Sequence, residues 1–179
     1  ITQMVLIGLV QPMISLRFQQ ENLSAVGLNT SSSRIILGEY MDKAALGNVG
    51  RVTKIKTALL IDLLEKDYIP IVAPLGMTFA GEWLNINADD AACHIAAKLR
   101  AESLYLLTDV SGIRMGDRHI EALPFSQIPA LIEEQVITGG MIPKVRGAEQ
   151  AILKGVETVH ITNDILRSGT TILGKKVLA

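Results

Sequence analysis

Through the second half of the chain, helical stretches alternate with short apolar β-rich runs. "NINADDAACHIAAKL", "SQIPALIEEQ" and "MIPKVRGAEQAILKG" read as helices, while "SLYLLTDVSGI", "TVHIT" and "GTTIL" read as strands. Apolar strands of this kind are buried on both faces, and a sheet is covered on both faces when crossover helices join parallel strands. The alternation therefore predicts an α/β fold with a largely parallel sheet and helices on both sides.

The first half is more mixed. Apolar positions at helical spacing run over residues 2–20, where Pro12 should kink or divide the helix. "SAVGLN", "SSSRIILGEY" and "VGRVTKI" supply a short buried strand and then a hairpin-like layer. "TALLIDLLEKDY" is amphipathic, with Leu59, Leu60, Leu63 and Leu64 on one face, and "YIPIVAP" is another buried strand. "LGMTFAGEW" reads as a loop leading to a helix over residues 87–100.

Composition excludes several classes. The 179 residues suffice for one domain or two small lobes, and 49% are hydrophobic, which is globular composition. Net charge is −1 and only 4% of residues are aromatic, so neither a basic footprint nor a stacking platform for nucleic acid is present. Cys93 is the single cysteine; it excludes an internal disulfide framework and fits a reducing, cytoplasmic setting. No apolar run approaches the roughly 18 residues of a membrane span. The opening "ITQMVLIGLVQPMISL" lacks a basic leading region and is expected to be a helix, not a signal peptide. Apolar on more than one side, that helix suits a subunit interface, so a homodimer is expected.

In open α/β sheets, ligands sit beyond the carboxyl ends of the strands, where loops meet helix N-termini. Three stretches have that position. In "NINADD", Asn87 can cap the helix and Asp89 and Asp90 suit its dipole, but a cap leaves Asn85 unexplained. In "LLTDVSGI", Thr108, Asp109 and Val110 make either a plain turn or an edge that faces a nucleotide. In "TGGMIPK", Gly139 and Gly140 can turn backbone amides toward an anion. Lys144 then falls in the first helical turn, where the dipole disfavours a cation. Arriving phosphate oxygens would explain it; a lysine snorkelling into solvent is the plain alternative.

Other chemistry is unsupported. Cys93 and His94 are neighbours on one helix and diverge by about 100°, and His119 and His160 have no partner at metal-ligand spacing, so no metal site is expected. Neither a nucleophile elbow nor a Walker-type phosphate loop is present.

Taken together, "NINADDAACHIAAKLRAESLYLLTDVSGI" and "ITGGMIPKVRGAEQAILKGVETVHI" resemble the signatures of the amino-acid kinase family, in its branch that phosphorylates N-acetyl-L-glutamate. The likeness extends upstream through "MVLIGLV", "AVGLN" and "DYIPIVAPLG" and so covers nearly the whole chain. It implies a three-layer αβα sandwich with a mostly parallel central sheet. Residues 1–100 would be the remaining part of an acceptor-binding and dimerisation lobe, and residues 101–179 a nucleotide lobe. Asn85 matches the position that holds the acetylated amino acid. Asp89 matches an aspartate that organises the catalytic lysines without acting as a base, and Lys144 the lysine that neutralises charge on the transferring phosphoryl group. Thr108, Asp109 and Val110, with Thr138, Gly139, Gly140, Met141 and Lys144, match positions around ATP, which would bring Mg²⁺ with it. The implied product is an acyl phosphate of arginine synthesis.

The chain also departs from the family pattern. The family's first-strand Lys-Gly-Gly element, its glycine loop after a histidine and its carboxylate-clamping arginine have no counterpart in this sequence. "RVT" at residues 51–53 follows "ALGNVG" and matches a different, downstream segment, so Arg51 is not that clamp. Arg100 stands where small residues are common, and a short tail follows "HITND". A non-catalytic nucleotide-binding or oligomer-forming remnant, or a kinase of another acceptor such as an N-acetyl-aminoadipate derivative, are the alternatives.

Overall fold

The computed structural model describes residues 1–167 and 169–174, so the last five residues of the tail lie outside it. The chain divides into two compact units, Ile1–Ala91 and Ala92–Ala179.

The first unit opens with α1 (Thr2–Val5), a π-helical turn (Leu6–Val10) and α2 (Gln11–Gln20). Pro12 lies in the first turn of α2 and divides the helix as its chemistry requires. It lacks an N–H, and its ring crowds the carbonyl four residues back, so the wider π turn takes up the conflict. The helix ends at Asn22, whose φ of 59° gives the left-handed exit that asparagine tolerates.

Beyond it, β1 (Ala25–Leu28), α3 (Thr30–Ser33), β2 (Ile36–Tyr40), α4 (Lys43–Leu46), β3 (Val49–Ile55), α5 (Ala58–Leu64), β4 (Ile69–Val72), β5 (Leu75–Met77) and β6 (Trp83–Ile86) follow in order. Strands β1 and β4 pair in parallel. They are bridged by Gln11 of α2, which is only 6% exposed. Its amide nitrogen donates to the carbonyls of Leu28 at 2.7 Å and Ile71 at 2.6 Å, one on each strand. Gly27 makes this possible, since a Cβ there would stand 3.0 Å from the Gln11 side chain.

Strands β2, β3, β6 and β5 close into a small barrel. Its interior is filled by Ile36, Leu84 and Ile86, all buried. Glycines supply the room: a Cβ on Gly38 or Gly50 would lie within 3.0 Å of Leu84, and one on Gly76 would press on Ile86. The segment read as a loop from sequence thus holds β5 and the start of β6. These strands have three and four residues and little alternation to betray them.

The helix α6 (Ala88–Leu99) ends at Arg100, whose φ of 53° is left-handed, so the residue occupies a helix exit that favours glycine. In the second unit come β7 (Ser103–Leu107), a hairpin of β8 (Arg114–Met115) and β9 (Arg118–His119), β10 (Ala122–Pro124), α7 (Ile128–Glu133), α8 (Met141–Leu153), β11 (Thr158–Thr162) and β12 (Thr170–Leu173). The four-stranded sheet runs β10-β12-β11-β7. Its outer pairs are parallel and the central β11–β12 pair is antiparallel. One face carries Leu106, Val159, Ile161 and Ile172 into a core shared with Val145, Ala148 and Ala151 of α8. On the other face Tyr105 stacks on His160 with ring centroids 4.4 Å apart. Partial burial there pushes the His160 pKa below its ordinary value.

Gln11→Leu should leave two strand carbonyls without their donor. The expected loss is about 2–3 kcal/mol of stability of the chain in urea unfolding, and a change below about 0.5 kcal/mol would contradict the bridging role.

Candidate functional site

In the first unit, strand alternation decides where Asn85 faces. Leu84 and Ile86 point into the barrel, so Asn85 between them points outward and is exposed. Its backbone N–H donates to the Asn48 carbonyl at 2.7 Å, which ties the end of β6 to the start of β3. Two residues on, Asn87 is the cap. Its side-chain oxygen accepts the Asp90 N–H at 3.1 Å, and its carbonyl accepts the Ala91 N–H at 3.0 Å. Asp89 and Asp90 occupy the first turn of α6, both half-buried, where carboxylates face the positive end of the helix dipole. The capping task thus belongs to Asn87.

In the second unit, the parallel pairing of β7 with β11 brings their carboxyl ends side by side. The Thr108 N–H donates to the Thr162 carbonyl at 3.0 Å and extends that ladder by one bond. The Thr108 hydroxyl donates to the Asp109 carboxylate at 3.1 Å, and Asp109 and Val110 are exposed beyond the strand. Helix α8 ends at Leu153 and β11 begins at Thr158, so the helix must run back along the strand that follows it. Its N-terminus lies at the end of the sheet where β7 and β11 finish. Topology therefore sets Thr138–Lys144 and Thr108–Val110 at the same end of this unit, the position at which α/β sheets take ligands.

The approach to α8 is open backbone. Gly139 has a φ of 54°, Gly140 is the N-cap, and a Cβ on either would meet nothing within 4 Å. The amides of Met141 and Ile142 donate at 3.2 Å to the carbonyls of Thr138 and Gly139. Two of the amides expected to face an anion are thus engaged in the turn, because the chain enters the helix through a tight i→i+3 bend. Pro143 has no N–H to offer. The first turn contains no acidic residue and no capping side chain, and Lys144 stands there half-buried.

Behind this edge lies a junction that the sequence did not reveal. The Thr170 hydroxyl, on a fully buried residue of β12, accepts the Ile113 N–H at 2.8 Å and donates to the Ile120 carbonyl at 2.6 Å. Those two residues form the root of the β8–β9 hairpin, which follows Thr108–Val110 directly. "GTTIL" read only as a strand, and its sole local hint was a Gly-Thr pair at the strand's start. Among the described residues, no three His, Cys, Asp or Glu side chains gather as a metal site. None of the described helices is long and apolar enough to cross a membrane.

Residues 1–163 match the amino acid kinase family, and the chain belongs to that family. Among its curated relatives, acetylglutamate kinase from Listeria monocytogenes serotype 4b (strain F2365) is 45% identical over 175 residues, covering 98% of this chain and 70% of the relative. Acetylglutamate kinase from Leuconostoc mesenteroides subsp. mesenteroides is 43% identical over 172 residues, covering 96% of this chain and 70% of the relative. The crystal structure of smu.665 from Streptococcus mutans UA159 matches with a TM-score of 0.90 at 34% identity, over 97% of this chain and 70% of that one. The mixed α/β architecture with parallel strands is the amino-acid kinase fold that the resemblance implied.

Asn87→Ala should cost about 1 kcal/mol of stability through loss of the α6 cap, whereas Asn85→Ala should cost less than about 0.5 kcal/mol. Denaturant titration of both variants checks the division of labour, and equal losses would contradict it.

Proposed function

We infer that this chain is an ATP-dependent kinase that phosphorylates the side-chain carboxylate of N-acetyl-L-glutamate, the acyl-phosphate-forming step of arginine synthesis. The observation that carries the reading is the 45% identity to an acetylglutamate kinase over 98% of the chain. The opposite construction of two helix starts supports it. The α6 terminus is capped by Asn87 and holds Asp89 and Asp90 in its first turn, whereas α8 begins on two glycines, has no acid in its own first turn, and carries Lys144 there. A positive helix end with a cation added is stabilised by an anion such as the phosphates of ATP.

A glutamate-type carboxylate is ionised at neutral pH and is already the nucleophile, so the reaction requires no general base. The chain's part is to align acceptor and donor and to stabilise spreading negative charge. We assign Lys144 to the transferring phosphoryl group, and Thr138–Met141 to the phosphates. Thr108, Asp109 and Val110 take the nucleoside side, at the carboxyl end of β7. Asp89 is a positioning carboxylate rather than a base, and Asn85 holds the acetylated acceptor through its outward side chain. Mg²⁺ arriving on the nucleotide supplies further charge neutralisation.

Two further assignments accompany this reading. The chain acts in the cytoplasm, where ATP is available and a lone cysteine stays reduced. It forms a homodimer through the first helix, where Met4, Leu9, Met13 and Leu16 are each more than half exposed and follow one apolar stripe. Sedimentation velocity at micromolar concentration should show a dimer that Leu9→Glu with Met13→Glu converts to monomer; a monomeric parent would contradict the assignment.

A coupled ADP-release assay tests the chemistry. Lys144→Ala should lower kcat by about 10²–10³-fold, and Asp89→Asn by about 10²-fold. Asn85→Ala should raise KM for N-acetylglutamate about tenfold while leaving KM for ATP alone. Unchanged turnover in the first two variants would overturn the residue roles. Faster turnover of N-acetyl-aminoadipate would reassign the acceptor, and ATP binding without turnover of any acceptor would favour a nucleotide-binding module.

A further inference from the structure

Two segments far apart in sequence meet with almost no space between them. In "DVSGI", Gly112 has a φ of 137°, and a Cβ on it would lie 2.7 Å from the Thr170 hydroxyl oxygen and 2.8 Å from the Thr170 nitrogen. From the other side, the backbone of Gly169 fits against the end of β11, where a Cβ would meet the Ile161 carbonyl. Thr170 is therefore held between the carboxyl end of β11 and the segment that leaves β7. Its hydroxyl uses both functions, accepting from the Ile113 N–H and donating to the Ile120 carbonyl. The Ile120 N–H also donates to the Ile113 carbonyl at 2.9 Å, which closes the root of the hairpin. His119 adds a second tie: its Nε2 lies 3.1 Å from the Ser111 carbonyl, and since a carbonyl only accepts, Nε2 carries the proton.

The span from Thr108 to Gly112 is consequently fixed at both ends. At one end the Thr108 N–H is bonded to Thr162; at the other, Gly112 and Ile113 are seated on Thr170. We propose that Thr170 is a positioning residue for nucleotide binding: its hydroxyl sets the conformation of Thr108–Gly112 and so aims Asp109 and Val110 at the nucleoside. This rests on the assignment of that segment to ATP made above. Thr170 acts through the backbone it holds, not by touching the ligand. The bond from Ile113 is buried and the bond to Ile120 partly so; replacing the hydroxyl by a methyl removes the partner of an N–H and of a carbonyl, and the segment must move to recover them.

The test compares Thr170→Val, Thr170→Ala and Thr170→Ser with Thr171→Val, a neighbour whose hydroxyl faces the other side of the sheet, 3.0 Å from His160. Thr170→Ala guards against misfolding of the valine variant, because it loses the same bonds without pressing a methyl on the Ile113 amide. Calorimetric titration with MgATP should show Kd raised about tenfold in the valine and alanine variants and within twofold of the parent in Thr170→Ser and Thr171→Val. Amide hydrogen exchange without ligand should be faster over residues 109–113 in the first two variants only. Equal weakening in Thr170→Ser or Thr171→Val would reduce Thr170 to a general stability role and overturn the proposal, as would unchanged exchange over residues 109–113. Unaltered Kd despite faster exchange would overturn it while leaving the kinase reading intact. A parent chain that binds no MgATP would overturn both.

Discussion

Two parallel neighbouring strands must leave a sheet at the same end, and the pairing of β7 with β11 makes that rule decisive here. Once it forms, the segments after Leu107 and after Thr162 are forced together, and the short link from α8 to β11 brings the start of the helix to the same edge. No residue of Thr108–Val110 or Thr138–Lys144 needs a special interaction to reach that edge. The core does the work: Leu106, Val159 and Ile161 bury one face of both strands against Val145, Ala148 and Ala151 of α8. A few kcal/mol per buried aliphatic side chain outweighs any single polar contact at the rim.

Within that frame, helix ends take contrasting electrostatic forms. The α6 terminus carries a side-chain cap and two carboxylates that suit its dipole. At the α8 terminus the Met141 and Ile142 amides bond within the tight turn itself, the first turn holds no acid of its own, and Lys144 has the sign that the dipole opposes. In a kinase such an end suits a polyanionic substrate.

Much of the architecture was legible because periodicity and punctuation survive in short windows. Helices α6 and α8, strands β7 and β11, the break at Pro12 and the cap at Asn87 all follow from local pattern. Strands β5 and β6 were hidden because a small glycine-bearing barrel needs neither length nor regular alternation, and β8 and β9 have two residues each. The Thr170 junction was invisible for a different reason: its partner Ile113 lies 57 residues away, and nothing near either residue announces the contact. At the site, local chemistry left each stretch with a plain alternative. Separating Asn85 from the cap required the alternation of β6, which only the barrel reveals.

That barrel has a consequence for precision. Leu84 fits a recess shaped by Gly38 and Gly50, and Ile86 one shaped by Gly76. Sliding β6 by one residue would drive an amide into the recess and expel a leucine, so intermediate settings are sterically and chemically closed. The barrel thus behaves as a detent: it admits one setting of the strand and transmits that setting to whatever stands on its outer face. The exposed side chain of Asn85 inherits its placement from three glycines on the neighbouring strands.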